Sequence, residues 1–291
     1  MPLRAQDALP SVRDARKTFD RASTRFDEAS IVHDEARQRL LERLRYVRID
    51  PACVVDLGCA AGSGAVALAG AFPGARVIAF DGSAAMLRVA RTRCGDAAQW
   101  LRADAERLPL GDGVAGLVFA NMLLPWCRPE GLFAEVARVL EPSGLFLFST
   151  LGPDSLVQLR RAWASADDAV HVHGFVDMHD LGDLVVHAGL AEPVLATETL
   201  SLTYAGVGDL VRDLRASGGV NIAAGRRRGL TGRAVWQAFE QALLAGRHDD
   251  RFSITIELIL GHAWGAGPRP EVRGTLAEYA VPIERIRRRR S

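Results

Sequence analysis

The chain has 291 residues, 48% hydrophobic and 24% charged, the balance of a soluble globular protein with a sizeable buried core. Thirty-six basic residues against thirty-five acidic ones leave a net charge of +1, which excludes a global field for nucleic acid or anionic lipid. Cys53, Cys59, Cys94 and Cys127 have neither the paired spacings of a zinc site nor the density of a disulfide scaffold. Charges such as Arg4, Asp7, Arg13 and Asp14 run through the N-terminus, and no apolar run nears the roughly 18 residues of a membrane span. A cytoplasmic, reduced protein is expected, with no membrane or nucleic-acid partner.

Residues 1–10 are expected to form a flexible tail. From 11 to 48 the pattern is helical and charged, with Ile31, Val32, Leu40, Leu41, Leu44 and Val47 near helical spacing. Pro51 ends that rhythm. Cys53-Val54-Val55-Asp56 is a predicted strand, running into a turn rich in glycine from Gly58 to Gly64 and a helix over Ala65 to Ala71. Arg76 to Asp81 is a second strand, Gln99 to Asp104 a third, Gly116 to Asn121 a fourth and Gly144 to Ser149 a fifth, with helices after Asp81 and over Leu132 to Leu140. Buried strands alternating with helices predict an α/β fold with a doubly wound, mostly parallel sheet.

Beyond the core segment 49–150 the pattern loosens. Helices are expected over Asp154 to Trp163 and Met178 to Gly189, with strands over Glu198 to Tyr204 and Ser253 to Leu260, making seven strands in all. The segment 151–266 thus completes the sheet and carries a C-terminal helical insertion. Residues 267–291 are a basic tail ending in Arg287 to Arg290.

The first strand and its turn form a nucleoside-accepting unit. Glycines allow close backbone approach, and the helix start beyond presents unpaired N–H groups. Asp56-x-Gly58-x-Ala60-x-Gly62 differs from the dinucleotide fingerprint, because Asp56 ends the strand where a pyrophosphate would be repelled. An acid there suits a ligand with an ammonium group. Asp81 ends the second strand where ribose hydroxyls sit in such folds, and Asp104 ends the third, beside a base edge.

Asp56-Leu57-Gly58-Cys59-Ala60-Ala61-Gly62, Asp81-Gly82-Ser83-Ala84-Ala85-Met86-Leu87 and Ala103-Asp104-Ala105-Glu106-Arg107-Leu108-Pro109 resemble the first three motifs of class I S-adenosyl-L-methionine-dependent methyltransferases. Asn121 and Leu140-Glu141-Pro142-Ser143-Gly144 resemble the fourth and fifth. The resemblance implies a Rossmann-like fold without a metal, with Asp56, Gly58, Ala60, Gly62, Asp81, Gly82, Asp104, Ala105 and Asn121 at the cofactor. Phe19-Asp20-Arg21-Ala22-Ser23, Gly152-Pro153-Asp154-Ser155-Leu156, Asp177-Met178-His179-Asp180-Leu181-Gly182-Asp183, Arg228-Gly229-Leu230-Thr231-Gly232 and Gly261-His262-Ala263-Trp264 narrow it. They resemble the methyltransferases of biotin (pimeloyl) synthesis, which esterify the free carboxylate of malonyl-acyl carrier protein.

That resemblance makes residues 11–48 an N-terminal helical lid and malonyl-acyl carrier protein the partner. It makes Phe26, His33, Trp126, Arg226 and Arg228 candidates for the substrate pocket. The chain departs from the family pattern at Ala60, usually glycine, Phe26, usually tyrosine, and His33 and Pro125, usually glutamines. Trp126 stands to wall the pocket or to pack the core. Among His171, His173 and His179, a surface or packing role is expected over a metal one, because the spacing defines no ligand geometry. Two alternatives stay open: a related enzyme that modifies a protein side chain in respiratory-complex assembly, and a non-catalytic cofactor-binding assembly protein.

Overall fold

A computed structural model describes residues 12–266, apart from 224 and 228. Both expected tails and Arg228 lie outside the described residues. Seven strands form one sheet in the order β3-β2-β1-β4-β5-β7-β6. They are β1 (Cys53–Leu57), β2 (Arg76–Asp81), β3 (Gln99–Arg102), β4 (Ala115–Asn121), β5 (Leu140–Leu151), β6 (Ala191–Tyr204) and β7 (Phe252–Trp264). The first five pair in parallel, while β7 runs antiparallel to both β5 and β6. The predicted doubly wound, mostly parallel sheet is present.

Alternation along the central strands sorts side chains to two buried layers. Val54, Leu117, Phe119, Leu145 and Leu147 face one layer, which α2 (Ile31–Leu44), α3 (Ser63–Ala71) and α4 (Ala84–Cys94) cover through Leu40, Leu68 and Leu87. Val55, Val118, Phe146 and Phe148 face the other, covered by α5 (Pro129–Val139) and α7 (Met178–His187) through Leu132, Phe133, Leu181 and Val185. Each such buried side chain contributes about 1.5–3 kcal/mol of transfer free energy.

The strands β6 and β7 are longer than their sequence pattern suggested. The β5 partner of β7 ends at Leu258, so Phe252 to Glu257 project past the parallel sheet, paired with β6 alone. On that projection Phe252, Ile254 and Ile256 bury against α6 (Val157–Ala164), α8 (Val207–Ala216) and α9 (Arg233–Leu244). Helices α8 and α9 fall within the expected C-terminal helical insertion, on either side of the glycine- and arginine-rich stretch between Ala216 and Arg233. Among the described residues, no helix is long and apolar enough to cross a membrane.

At the N-terminus the single predicted helical stretch is broken. Helix α1 (Val12–Ala22) stops, a 3-10 turn follows at Phe26–Ala29, and α2 restarts at Ile31. The break lets α1 lie on α4 while α2 packs on β4, β5 and β7. Both helices thereby cover the carboxyl ends of β1 and β4. The strand order reverses between those two parallel strands, and open α/β folds bind ligands there.

Candidate functional site

The turn after β1 is built from backbone first. The N–H groups of Gly58 and Cys59 both donate to the Phe80 carbonyl, at 2.8 and 2.9 Å, which ties the turn to β2. Gly58, Ala60 and Gly62 all have positive φ, at 76°, 46° and 92°. The Ala60 N–H donates to Asp81 Oδ2 at 2.9 Å. An alanine in this left-handed region costs about 1–2 kcal/mol, against about 0.5–1 kcal/mol for the extra chain entropy of glycine. Ala60→Gly is therefore expected to stabilise the protein by about 0.5–1 kcal/mol in chemical denaturation. A lower midpoint for the glycine variant would contradict the strain assigned to Ala60.

Asp56 lies within β1, 2% exposed. Burial, with the nearby Asp81 charge adding to it, pushes its carboxyl up to about 7, although the Ala65 N–H is hydrogen-bonded to it. Its Oδ2 has no hydrogen-bond partner among the described residues. A β-carbon on Gly64 would stand 2.8 Å from that oxygen, so only glycine leaves room beside it. Asp56 lines a small polar pocket with Ser30, Arg37, Cys59 and Ser63.

Asp81 accepts from the Ser83 N–H at 2.7 Å as well as from Ala60. Burial pushes its carboxyl above the ordinary range, opposed by those two N–H groups. Each oxygen keeps a further lone pair for a hydroxyl. Asp104 sits just past β3, where it accepts from the Glu106 N–H at 3.1 Å and pairs with Arg16 of α1 at 2.6 Å.

The N-terminal helices are fastened over this turn by polar links. Asp20 accepts from the Ser83 hydroxyl at 2.6 Å and the Ala85 N–H at 3.2 Å, and Asp27 pairs with Arg93. Asn121, at the end of β4, donates to the His33 carbonyl at 2.9 Å and accepts from the Ser149 hydroxyl at 2.8 Å. Below them Phe19 meets Trp126 edge-on at 5.0 Å and Phe26 meets His33 at 5.0 Å.

One cleft gathers most of the residues singled out from sequence. Gly58, Ala60, Asp81, Gly82, Asp104, Ala105 and Asn121 line it, together with Phe26, His33 and Trp126. Asp56 opens instead into the adjoining polar pocket, which shares Gly58, Ala60 and His33 with the cleft. Gly62 turns away, toward the Trp100 ring. Arg226 is half-buried and paired with Asp14 at 2.6 Å, and it does not line the cleft.

Residues 55–148 match a family model described as "Methyltransferase domain". The malonyl-[acyl-carrier protein] O-methyltransferase of Laribacter hongkongensis is 41% identical to this chain, over 88% of the chain and 90% of the relative. The chain belongs to this methyltransferase family. A second malonyl-[acyl-carrier protein] O-methyltransferase, from Methylovorus, is 40% identical over 92% of this chain and 93% of its own. Among solved structures the YcgJ protein of Bacillus subtilis superposes with a TM-score of 0.56, covering 79% of this chain and 99% of its own at 15% identity, which speaks for the fold. The sheet is thus that of an S-adenosyl-L-methionine-dependent methyltransferase.

Within this member of the malonyl-[acyl-carrier protein] O-methyltransferase family, a second cavity of about 90 Å³ adjoins the cleft. His33, Met122 and Trp126 line both. Trp126 is therefore a wall between two spaces. The three histidines noted from sequence have separate fates. His171 stacks on Trp163 at 3.7 Å and pairs with Asp167, and His179 is exposed beside Asp177, whereas His173 is buried and lines the second cavity. Met122 and Arg16 also line the site without any sequence motif that marks them, and His173, expected to pack or face solvent, lines a cavity. In an extended chain the H-x-H spacing would set both rings on one face, and the bend at Val172 parts them.

Proposed function

We propose that this chain transfers the methyl group of S-adenosyl-L-methionine to the free carboxylate of malonyl-acyl carrier protein, an early step toward the pimeloyl part of biotin. The observation that carries the reading is the family membership, at 41% identity over nearly the whole chain. The cleft supports it. An unpartnered, buried carboxylate oxygen on Asp56 beside a positive-φ turn fits a ligand whose amino-acid end carries an ammonium. We assign Asp56 to that ammonium, Asp81 to the ribose hydroxyls, and Asp104, with the Ala105 backbone, to the adenine edge. Gly58, Ala60 and Gly82 give the close backbone approach, and no metal is required.

When bound, the cofactor supplies an electrophilic methyl on a sulfonium. Phe19, Phe26 and Trp126 line the cleft that would hold it and give it an aromatic wall, which suits a cation. The acceptor needs no general base, because a carboxylate is already an anionic nucleophile. Its oxygen would form the new bond to the methyl carbon as the carbon–sulfur bond breaks, the electron pair staying on sulfur, and no proton would need to move. What the protein contributes is alignment and exclusion of water, which can account for about 7–11 kcal/mol of barrier. The fastened helices α1 and α2 act as the lid that provides both.

The test is transfer of labelled methyl from S-adenosyl-L-methionine to malonyl-acyl carrier protein, with acetyl-acyl carrier protein as control. Label on the malonyl form alone is expected. Cofactor binding without label on the malonyl form would overturn the acceptor assignment.

A further inference from the structure

The second cavity is walled by Leu151, Leu156, Leu202, Ile254 and Ile256, and Tyr204 and Asp213, hydrogen-bonded to each other, join Ser217 and the histidines as its polar lining, so a polar group entering it must find a partner among few atoms. Two ring nitrogens there have none: His33 Nδ1 and His173 Nε2 are buried without a hydrogen-bond partner among the described residues. His173 is 5% exposed, and its ring is held edge-on by Trp126 at 5.4 Å and Phe175 at 5.1 Å. Leaving a buried ring nitrogen unpaired is a standing cost that a ligand would relieve. A volume of about 90 Å³ holds on the order of three water-sized groups, at roughly 30 Å³ each. That is room for a short acyl group, not a long chain.

Burial holds both imidazoles down to about 4, with Arg160 adding to the effect at His173, so both are neutral in neutral solution. Arg160 itself stands behind Phe175, its guanidinium 5.4 Å from the ring centre, with Nη1 donating to the carbonyls of Pro153 and Ser155. It lends positive potential to this end of the cavity without lining it.

We propose that the second cavity receives the short acyl group of the acceptor and that His173 Nε2 donates a hydrogen bond to its carboxylate, leaving the other oxygen to face the cleft past Trp126. This rests on the methyl-transfer reading above. A neutral donor suits the chemistry better than a paired arginine. The carboxylate loses its charge as the methyl arrives, so a strong cation would hold the reactant more tightly than the transition state. A single N–H orients the acid, keeps the attacking oxygen nucleophilic, and can still bond the carbonyl of the neutral ester.

The experiment compares wild type with His173→Phe and His173→Gln. Phenylalanine keeps the ring but cannot donate; glutamine restores a donor. Expected for His173→Phe is a 10- to 100-fold higher KM for malonyl-acyl carrier protein, from one lost hydrogen bond to a charged group. Cofactor affinity should stay within about twofold of wild type and the melting temperature should hold, with part of the KM regained in His173→Gln. Wild-type KM in a folded, cofactor-binding His173→Phe overturns the proposal and leaves the function intact. Wild type that transfers no methyl to the malonyl carrier would instead overturn the function. The cavity is then judged by the His173 ring-nitrogen resonance on titration with malonyl-pantetheine: a shift lost in His173→Phe supports an acid-binding site, and no shift overturns it.

Discussion

Replacing Asp56 with asparagine stabilises the ligand-free protein and weakens its hold on S-adenosyl-L-methionine. The two effects share one cause. Asp56 is pushed from the ordinary 3.8 up to about 7 by burial, so the folded protein binds more protons than the unfolded chain between those values. Stability contributed by this group therefore falls as pH rises from about 4 to about 7, and stays low above it. Asparagine keeps an acceptor for the Ala65 N–H and removes the buried charge, which is expected to add about 1–3 kcal/mol at pH 8 and almost nothing near pH 4. The cofactor's ammonium would bond the ionised form, so wild-type affinity should climb with pH between 6 and 7.5 while the variant stays flat. At pH 7.5 the loss should be about 10- to 100-fold, the equivalent of about 1.5–3 kcal/mol for a hydrogen bond to a charged group. Thermal denaturation at pH 5 and 8, with calorimetry of cofactor binding, checks both halves. An asparagine variant that melts below wild type at pH 8, or binds cofactor equally well, would refute the role given to the unpartnered oxygen.

Gly62→Ala is expected to lower stability by about 3 kcal/mol, or about 6–12 °C in melting temperature. Two causes add. Gly62 has φ of 92°, so any side chain there is strained by about 1–2 kcal/mol. The added carbon would also stand 2.8 Å from the Trp100 ring and 3.1 Å from the Cys94 sulfur, an overlap worth about 1–3 kcal/mol. Trp100 cannot swing aside easily, because its indole N–H donates to the Gly95 carbonyl at 2.8 Å. Gly189→Ala isolates the first cause: its φ is 91°, but nothing lies within 4 Å of an added carbon. It should cost about 1–2 kcal/mol alone. Equal losses at both positions would show that the Trp100 contact is not what requires glycine at 62.

The glycine of the first motif thus does two jobs that sequence merges. Gly58 and Gly62 stand in one pattern with Ala60, and all three take positive φ, yet Gly58 lines the cleft while Gly62 faces Trp100. The turn geometry is local, so it can be read from residue type and spacing. Which of its members meets open space depends on Trp100, contributed by β3 from another part of the chain.

Arg226 makes the same point at longer range. In sequence it belongs to a basic run, Arg226-Arg227-Arg228, that suits a carboxylate or an acidic partner. In the fold it pairs with Asp14, 212 positions away, and bridges Val170 through its backbone. A charge run carries no information about which distant carboxylate it will meet. The two histidines at 171 and 173 divide likewise: the chain bends at Val172, so one ring meets Asp167 and Trp163 and the other meets Trp126.

What the sequence determined alone is whatever local chemistry dictates. Apolar strands alternate with helices, glycines permit the turn after β1, and acids at strand ends mark where a polar ligand meets the sheet. From these came the doubly wound sheet, its seven strands and the three acids at one edge. The tertiary structure alone decided the break between α1 and α2, how helices pack on the projecting part of β6 and β7, and the second cavity behind Trp126. Those depend on contacts between segments far apart in the chain, whose partners are chosen by packing of the whole core rather than by any residue's neighbours.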